Sequence, residues 1–193
     1  AERPVSGLAY DPRPLGPNDG FAPETPHYYM QVTKRGLVRL RGTPDRNSFI
    51  LMDSNKRSDQ VGTYRDRAAL YSNGKVTELG ILPGCGRSQA VAVSETCVIA
   101  GVSREGPFDP QHPLGNGNWW PFVWERGVMR RLDVPSGGHY AYIYGISADG
   151  TLTLGTDGFR SVVWHKRKLY DLNDLLSPHA RERWRVTRAS RMD

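Results

Sequence analysis

Ser88-Gln-Ala-Val-Ala-Val-Ser94, Cys97-Val-Ile-Ala-Gly101 and, beyond an insertion, Pro121-Phe-Val-Trp124, Glu125-Arg-Gly127 and Val128-Met-Arg-Arg-Leu132 form one pattern. Each apolar run is too short for a helix and is bounded by Ser, Gly or a charged turn, so it reads as four short antiparallel strands. The first strand ends in Ser, the second in Gly, the third in an aromatic residue and the fourth in Leu.

Working outward, the same order appears on both sides. Upstream lie Ser48–Met52, Asn55, Gln60-Val-Gly62, Ala68–Tyr71, Ser72-Asn-Gly74 and Val76–Leu79. Downstream lie Tyr140–Ser147, Asp149-Gly150, Thr151–Gly155, Ser161–Trp164 and Leu169–Leu172. The spacing from Gly62 to Tyr71 and from Gly155 to Trp164 is 9 in both cases. Tyr71 to Leu79, Trp124 to Leu132 and Trp164 to Leu172 are each 8 apart. Asn-Gly and Asp-Gly supply the positive φ that tight hairpins require. With 21 Gly and 14 Pro in 193 residues, the chain has turn residues enough for many short strands. The aromatic that ends each third strand is expected to pack between neighbouring sheets.

These units resemble the HAF-type repeats of bacterial extracellular proteins. The resemblance rests on Val123-Trp124, Gly127–Leu132, Glu78-Leu-Gly-Ile-Leu-Pro-Gly84 and the closing Tyr170-Asp-Leu-Asn-Asp-Leu-Leu176. It covers the chain from Ser48 on. The His-Ala-Phe triplet of that family is replaced here by Arg67-Ala-Ala69, Trp120-Pro-Phe122 and Arg160-Ser-Val162. The resemblance implies a propeller-like β fold and an exported location, and no defined activity.

The two ends read as a further, split unit. Tyr28–Val32 and Leu37–Leu40 look like third and fourth strands, Pro4–Gly7 like the tail of a second, and Trp184–Asp193 like a first. The predicted fold is therefore all-β: a small β-propeller of four blades with four antiparallel strands each, one blade shared between the N- and C-termini. The whole chain, 1–193, is expected to be a single domain, with units at about 48–79, 88–132 and 140–172 and a split unit at 5–40 plus 184–193.

Extra length falls between the second and third strands of alternate units, at Leu8–His27 and Arg104–Trp120. With the shorter Thr63–Arg67 and Thr156–Arg160, these segments would share one face. Loops on a rigid scaffold commonly carry binding, and Tyr, Trp and Arg are the usual anchors. The candidate partner-binding residues are Phe21, His27, Tyr64, Arg65, Arg67, Phe108, Asp109, His112, Trp119, Trp120, Phe159 and Arg160. A protein partner is the first expectation, and a glycan the alternative. Asp66, Asp109 and Asp157 are the carboxylates that would serve a glycoside-cleaving enzyme.

No Gly-x-Ser-x-Gly, His-Glu-x-x-His, phosphate loop or metal-spaced Cys/His cluster occurs, so no catalytic residue, metal or cofactor is predicted. The histidines are scattered, at 27, 112, 139, 165 and 179. Cys85 and Cys97 lie at opposite ends of one expected strand, too far apart for a disulfide. The net charge of +6 suits an anionic partner surface. It is partly concentrated after Ala180 in Arg181, Arg183, Arg185, Arg188 and Arg191. Nucleic acid is not expected, because Arg183 and Arg185 alternate with Trp184 and Val186 as one face of a strand would. No run is long enough for a membrane helix. Beginning at Ala1 rather than Met, the chain is expected to be a secreted or periplasmic protein.

Overall fold

The computed structural model describes residues 30–33, 36–39, 49–107, 117–134, 140–158, 160–187 and 189. They form β1 (Met30–Thr33), β2 (Gly36–Arg39), β3 (Phe49–Ser54), β4 (Gln60–Tyr64), β5 (Arg67–Ser72), β6 (Lys75–Gly80) and β7 (Cys85–Val93). These are followed by β8 (Ile99–Glu105), β9 (Trp119–Glu125), β10 (Val128–Arg131), β11 (Ala141–Ile146), β12 (Leu152–Asp157), β13 (Ser161–His165), β14 (Lys168–Asp171) and α1 (Pro178–Arg183). The fold is all-β, with three four-stranded antiparallel sheets. Sheet I runs β3-β4-β5-β6, sheet II β7-β8-β9-β10 and sheet III β11-β12-β13-β14, each in chain order. β1 and β2 form a separate two-stranded hairpin.

The expected glycines do not end the second strands. They sit inside them, opposite a bulge in the first strand. Gly62 pairs with Leu51, Gly101 with Ala90 and Gly155 with Ile143, and in each case the next residue of the first strand, Met52, Val91 or Tyr144, is extra. A bulge carries one strand's backbone toward its neighbour. A Cβ at Gly62 would lie 1.8 Å from the Ile50 carbonyl oxygen, at Gly101 2.1 Å from that of Gln89, and at Gly155 2.0 Å from that of Tyr142. Only glycine fits.

The core lies between successive sheets. Val61, Ala68 and Leu79 from sheet I and Leu82 from the connection that leaves it meet Ala90, Val93, Ile99 and Phe122 of sheet II. Ala92, Ala100, Val102 and Leu132 meet Ile143, Ile146, Val162 and Trp164 of sheet III. The first strand of each sheet lies against the preceding sheet: β7 against β3, β4 and β5, and β11 against β7, β8 and β9. The aromatics that end the third strands do pack between sheets. Trp124 leans on the first cluster, and Trp164, only 1 % exposed, fills the second. The Trp164 indole N–H donates to the Asp133 carbonyl at 2.6 Å. Truncating so large a buried side chain costs about 3–5 kcal/mol.

The four-bladed, closed ring is corrected to three four-stranded sheets and a hairpin among the described residues. The reason lies at the C-terminus. Pro178 at the start of α1 and the Ser177 cap, whose hydroxyl accepts from the Ala180 N–H, begin a helical turn where the sequence pattern had suggested none. Residues 184–187 are not a strand. They bind sheet III instead of β1 and β2: the Asn173 amide accepts from the Val186 N–H at 2.8 Å and donates to its carbonyl at 3.1 Å, and the Ala189 N–H donates to the Ser161 hydroxyl. The face alternation read into Arg183 and Arg185 fails with that strand. Pro4–Gly7 and the insertion Leu8–His27 lie outside the described residues.

Gly101→Ala or Gly155→Ala is expected to destabilise the protein by about 3 kcal/mol or more, because the carbonyl oxygen in the way is backbone. Thr77→Ala, at an exposed position of β6, should stay within about 0.5 kcal/mol of the parent. Urea denaturation midpoints compare the three.

Candidate functional site

An up-and-down sheet puts the turns between its first and second and its third and fourth strands at one end, and the connection between its second and third strands at the other. The sequence pattern places the candidate site at the second of these ends. Of its candidates, Tyr64, Arg65, Arg67, Trp119, Trp120 and Arg160 are there; Phe21, His27, Phe108, Asp109, His112 and Phe159 lie outside the described residues. Four of the six are strand residues and not loop residues: Tyr64 ends β4, Arg67 opens β5, and Trp119 and Trp120 open β9.

Several of these side chains hold the end of the fold together. Arg67 donates to the Gly86 carbonyl at 2.9 Å, tying sheet I to sheet II. The Arg65 guanidinium lies over the Tyr64 ring at 5.0 Å. Trp120 is covered by Arg131 at 3.4 Å and packs on the core between sheets I and II. Trp119 stacks on Tyr142 of sheet III, with ring centroids 6.4 Å apart and planes 26° from parallel. These contacts place Arg65, Trp119, Arg87, Gln89 and Ile50 around a hollow of about 250 Å³. Beside it the sheets leave large apolar surface open: Ile50 is 58 % exposed, Tyr140 51 % and Tyr142 46 %. None of these three was among the sequence candidates. Their signal was an apolar residue at an outward position on a first strand.

Of the carboxylates considered for glycoside cleavage, the two described, Asp66 and Asp157, stand on different sheets. Asp66 faces Arg87 at 3.2 Å, from the turn of sheet I. Asp157 is buried on sheet III, where Arg160 donates two hydrogen bonds to its two oxygens. That pairing, with Asp171 beyond it, holds the Arg160 guanidinium above its ordinary pKa. Asp109 lies outside the described residues.

The opposite end contains the larger hollow, a cleft of about 820 Å³ between sheets II and III. The predicted site and this cleft are therefore at different ends. The three first-to-second-strand turns at this end are built alike. Asn55, Ser94 and Ser147 each use a side-chain oxygen to accept the N–H that closes the turn, from Asp59, Val98 and Leu152, at 3.0, 2.9 and 2.9 Å. The turns are also joined from sheet to sheet. Asn55 donates to the Ser94 carbonyl at 3.0 Å, and the Glu95 N–H donates to the Ala148 carbonyl at 2.9 Å. Asp59 anchors the first turn. Burial works to raise its pKa, but hydrogen bonds from Ser72 and Asn55 and the charge and hydrogen bond of Arg57 outweigh it and hold the carboxyl below its usual range. Both cysteines are free, Cys85 at the start of β7 and Cys97 in the turn beyond its far end. Burial pushes both thiols up.

No protein-family model matches this chain, and the search of curated proteins finds no match. Among the described residues no helix is long and apolar enough to cross a membrane.

Because the Asp59 carboxyl is lowered on folding, its contribution is fully present above the ordinary carboxylate value of 3.8 and is lost as pH falls through the lower folded value. Asp59→Asn is expected to be less stable than the parent near neutral pH, and the gap should narrow steadily below about pH 4. Urea midpoints across that range measure it; a gap that stays constant with pH would contradict the assignment.

Proposed function

We propose that this protein is a non-enzymatic binding module that recognises an acidic face of a partner protein through the end bearing the second-to-third-strand connections. The observation that carries the reading is the open apolar surface of Ile50, Tyr140 and Tyr142 at that end. Exposed aromatic and aliphatic patches mark interaction sites, and Tyr and Arg are enriched among their energetic anchors. The Trp119–Tyr142 stack holds the Tyr142 ring in place before a partner arrives, which lowers the entropy lost on docking. Among the described residues, Arg65 and Arg87 line the hollow beside the patch with Asp66, and Arg67 and Arg160 stand at the same end. A basic rim about an apolar centre speeds encounter with an acidic surface and selects against basic ones.

An exported location, secreted or periplasmic, belongs to the same proposal and is supported by the resemblance to HAF-type repeats. Fractionation of cells making the full gene product should place it outside the cytoplasm; cytoplasmic retention would remove that part.

The test compares capture from the exported fraction by the parent and by Ile50→Ser/Tyr140→Ser, two exposed changes that should leave the circular dichroism spectrum and urea midpoint close to the parent's. One acidic protein should be retained by the parent and reduced roughly tenfold or more with the variant, the loss expected when two anchors are removed. Its retention should also fall as salt rises from about 0.1 to 0.5 M. Equal capture by both proteins, or retention of a polysaccharide in place of a protein, sinks the proposal.

A further inference from the structure

The cleft between sheets II and III has a chemistry distinct from the other end. Its wall is apolar, formed by the half-buried Val98 and Val123 above the buried Leu132 and Trp164. That floor is rigid, because Trp164 is fixed by its bond to Asp133 and the Asp133 N–H donates to the Arg167 carbonyl at 3.1 Å. The rim is basic. Arg126, Arg130, Lys166 and Arg167 line it, with Glu125 and Asp149 as the acids. Both acids are already engaged, Glu125 by Arg126 at 3.6 Å and Asp149 by the hydroxyls of Ser147 and Thr151. Arg130 and Lys166 are exposed and form no ion pair among the described residues.

A second observation points to the same rim. The three outer hairpins close with two-residue turns, both residues at positive φ: Asn73-Gly74, Arg126-Gly127 and Lys166-Arg167. The first two have glycine where the conformation asks for it. The third holds Lys166 at φ 49° and Arg167 at φ 73°. A left-handed conformation is unfavourable for such side chains, and strain retained at one turn of a set marks a place where the side chains themselves are needed.

We propose that this cleft binds a small anionic ligand with an apolar body, a hydrophobic carboxylate, sulfonate or phosphate ester. The apolar body lies along Val98 and Val123, and the oxyanion is held between Arg130 and the Lys166–Arg167 turn. The volume suits a small molecule, since such sites span about 300–1,000 Å³. A planar guanidinium offers paired donors to an oxyanion, and the ammonium adds a mobile charge.

Three probes of one size test it: 1-naphthyl phosphate, 1-naphthol and 1-naphthylmethylammonium, titrated by calorimetry against the full chain. The phosphate is expected to bind at least roughly tenfold more tightly than the other two, and less tightly as salt rises. Lys166→Asn/Arg167→Gly removes two rim charges and installs the pair that the turn favours. It should raise the urea midpoint while lowering phosphate affinity roughly tenfold. Arg130→Glu, at an exposed position of β10, should lower affinity at least as much without changing the midpoint. Equal binding of the three probes, no binding by any of them, or phosphate affinity unchanged in both variants overturns the proposal.

Discussion

The approach of three glycines to three carbonyl groups sets the geometry of each sheet. Gly62, Gly101 and Gly155 admit the bulged first strand to within a distance that any side chain would block. The bulge adds a residue and increases local twist, so the first strand turns away from its own sheet and lies against the preceding one. The vacant space above two of the glycines is then filled from the third strand. The Phe122 ring would lie 2.6 Å from a Cβ at Gly101, and the Trp164 ring 2.9 Å from one at Gly155. One backbone constraint thus fixes the first-strand path, the seat of the aromatic and the contact between sheets.

Much of this was legible in the chain. Strand positions came from short apolar runs separated by Asn-Gly, Arg-Gly and Asp-Gly, because turn chemistry is local. The capping role of Asn55, Ser94 and Ser147 was visible as a recurring position, and the burial of Trp164 as a recurring aromatic. The glycines were recognised, but read as strand ends. A glycine that stops a strand and one that faces a bulge look alike in sequence, and only the partner strand separates them. The α1 turn was missed because Trp184–Ser190 has the alternation of a strand, while Ser177-Pro178, an N-cap followed by proline, points to a helix start. Local signals disagreed there, and the amide of Asn173 holds the segment after α1 against sheet III.

The candidate residues fared unevenly for a related reason. The sequence pattern assigns Trp119, Trp120 and Tyr64 to loops because it ends the second strands at the glycines. Extending β4, β8 and β9 beyond that point makes them part of the scaffold, where Trp120 and Arg131 cover each other and Trp119 supports Tyr142. The open surface moved accordingly, from the loop aromatics to Ile50, Tyr140 and Tyr142. Periodicity finds buried residues well, but the exposure of outward ones depends on what stands opposite them.

The two ends differ in what they are free to vary. At the capped end, the first turns of adjacent sheets are hydrogen-bonded to one another through Asn55 and Ser94 and through Glu95 and Ala148. An added residue would break a bond in two sheets at once, so length is constrained. The outer turns beside them all have two residues and differ only in side chain: Asn-Gly, Arg-Gly and Lys-Arg. Variation limited to charge over a rigid floor suits a ligand of fixed, small size. At the opposite end the connection of sheet I is also tied across, the Asp66 carbonyl accepting from the Ser88 N–H at 3.1 Å, but the connections differ in length. One closes on Arg65 and Asp66, while another carries all of 106–118. Variation in length changes the shape of a surface, and shape over a wide area is how one macromolecule distinguishes another. One core thus carries both proposed kinds of recognition, set apart by which end admits connections of different length.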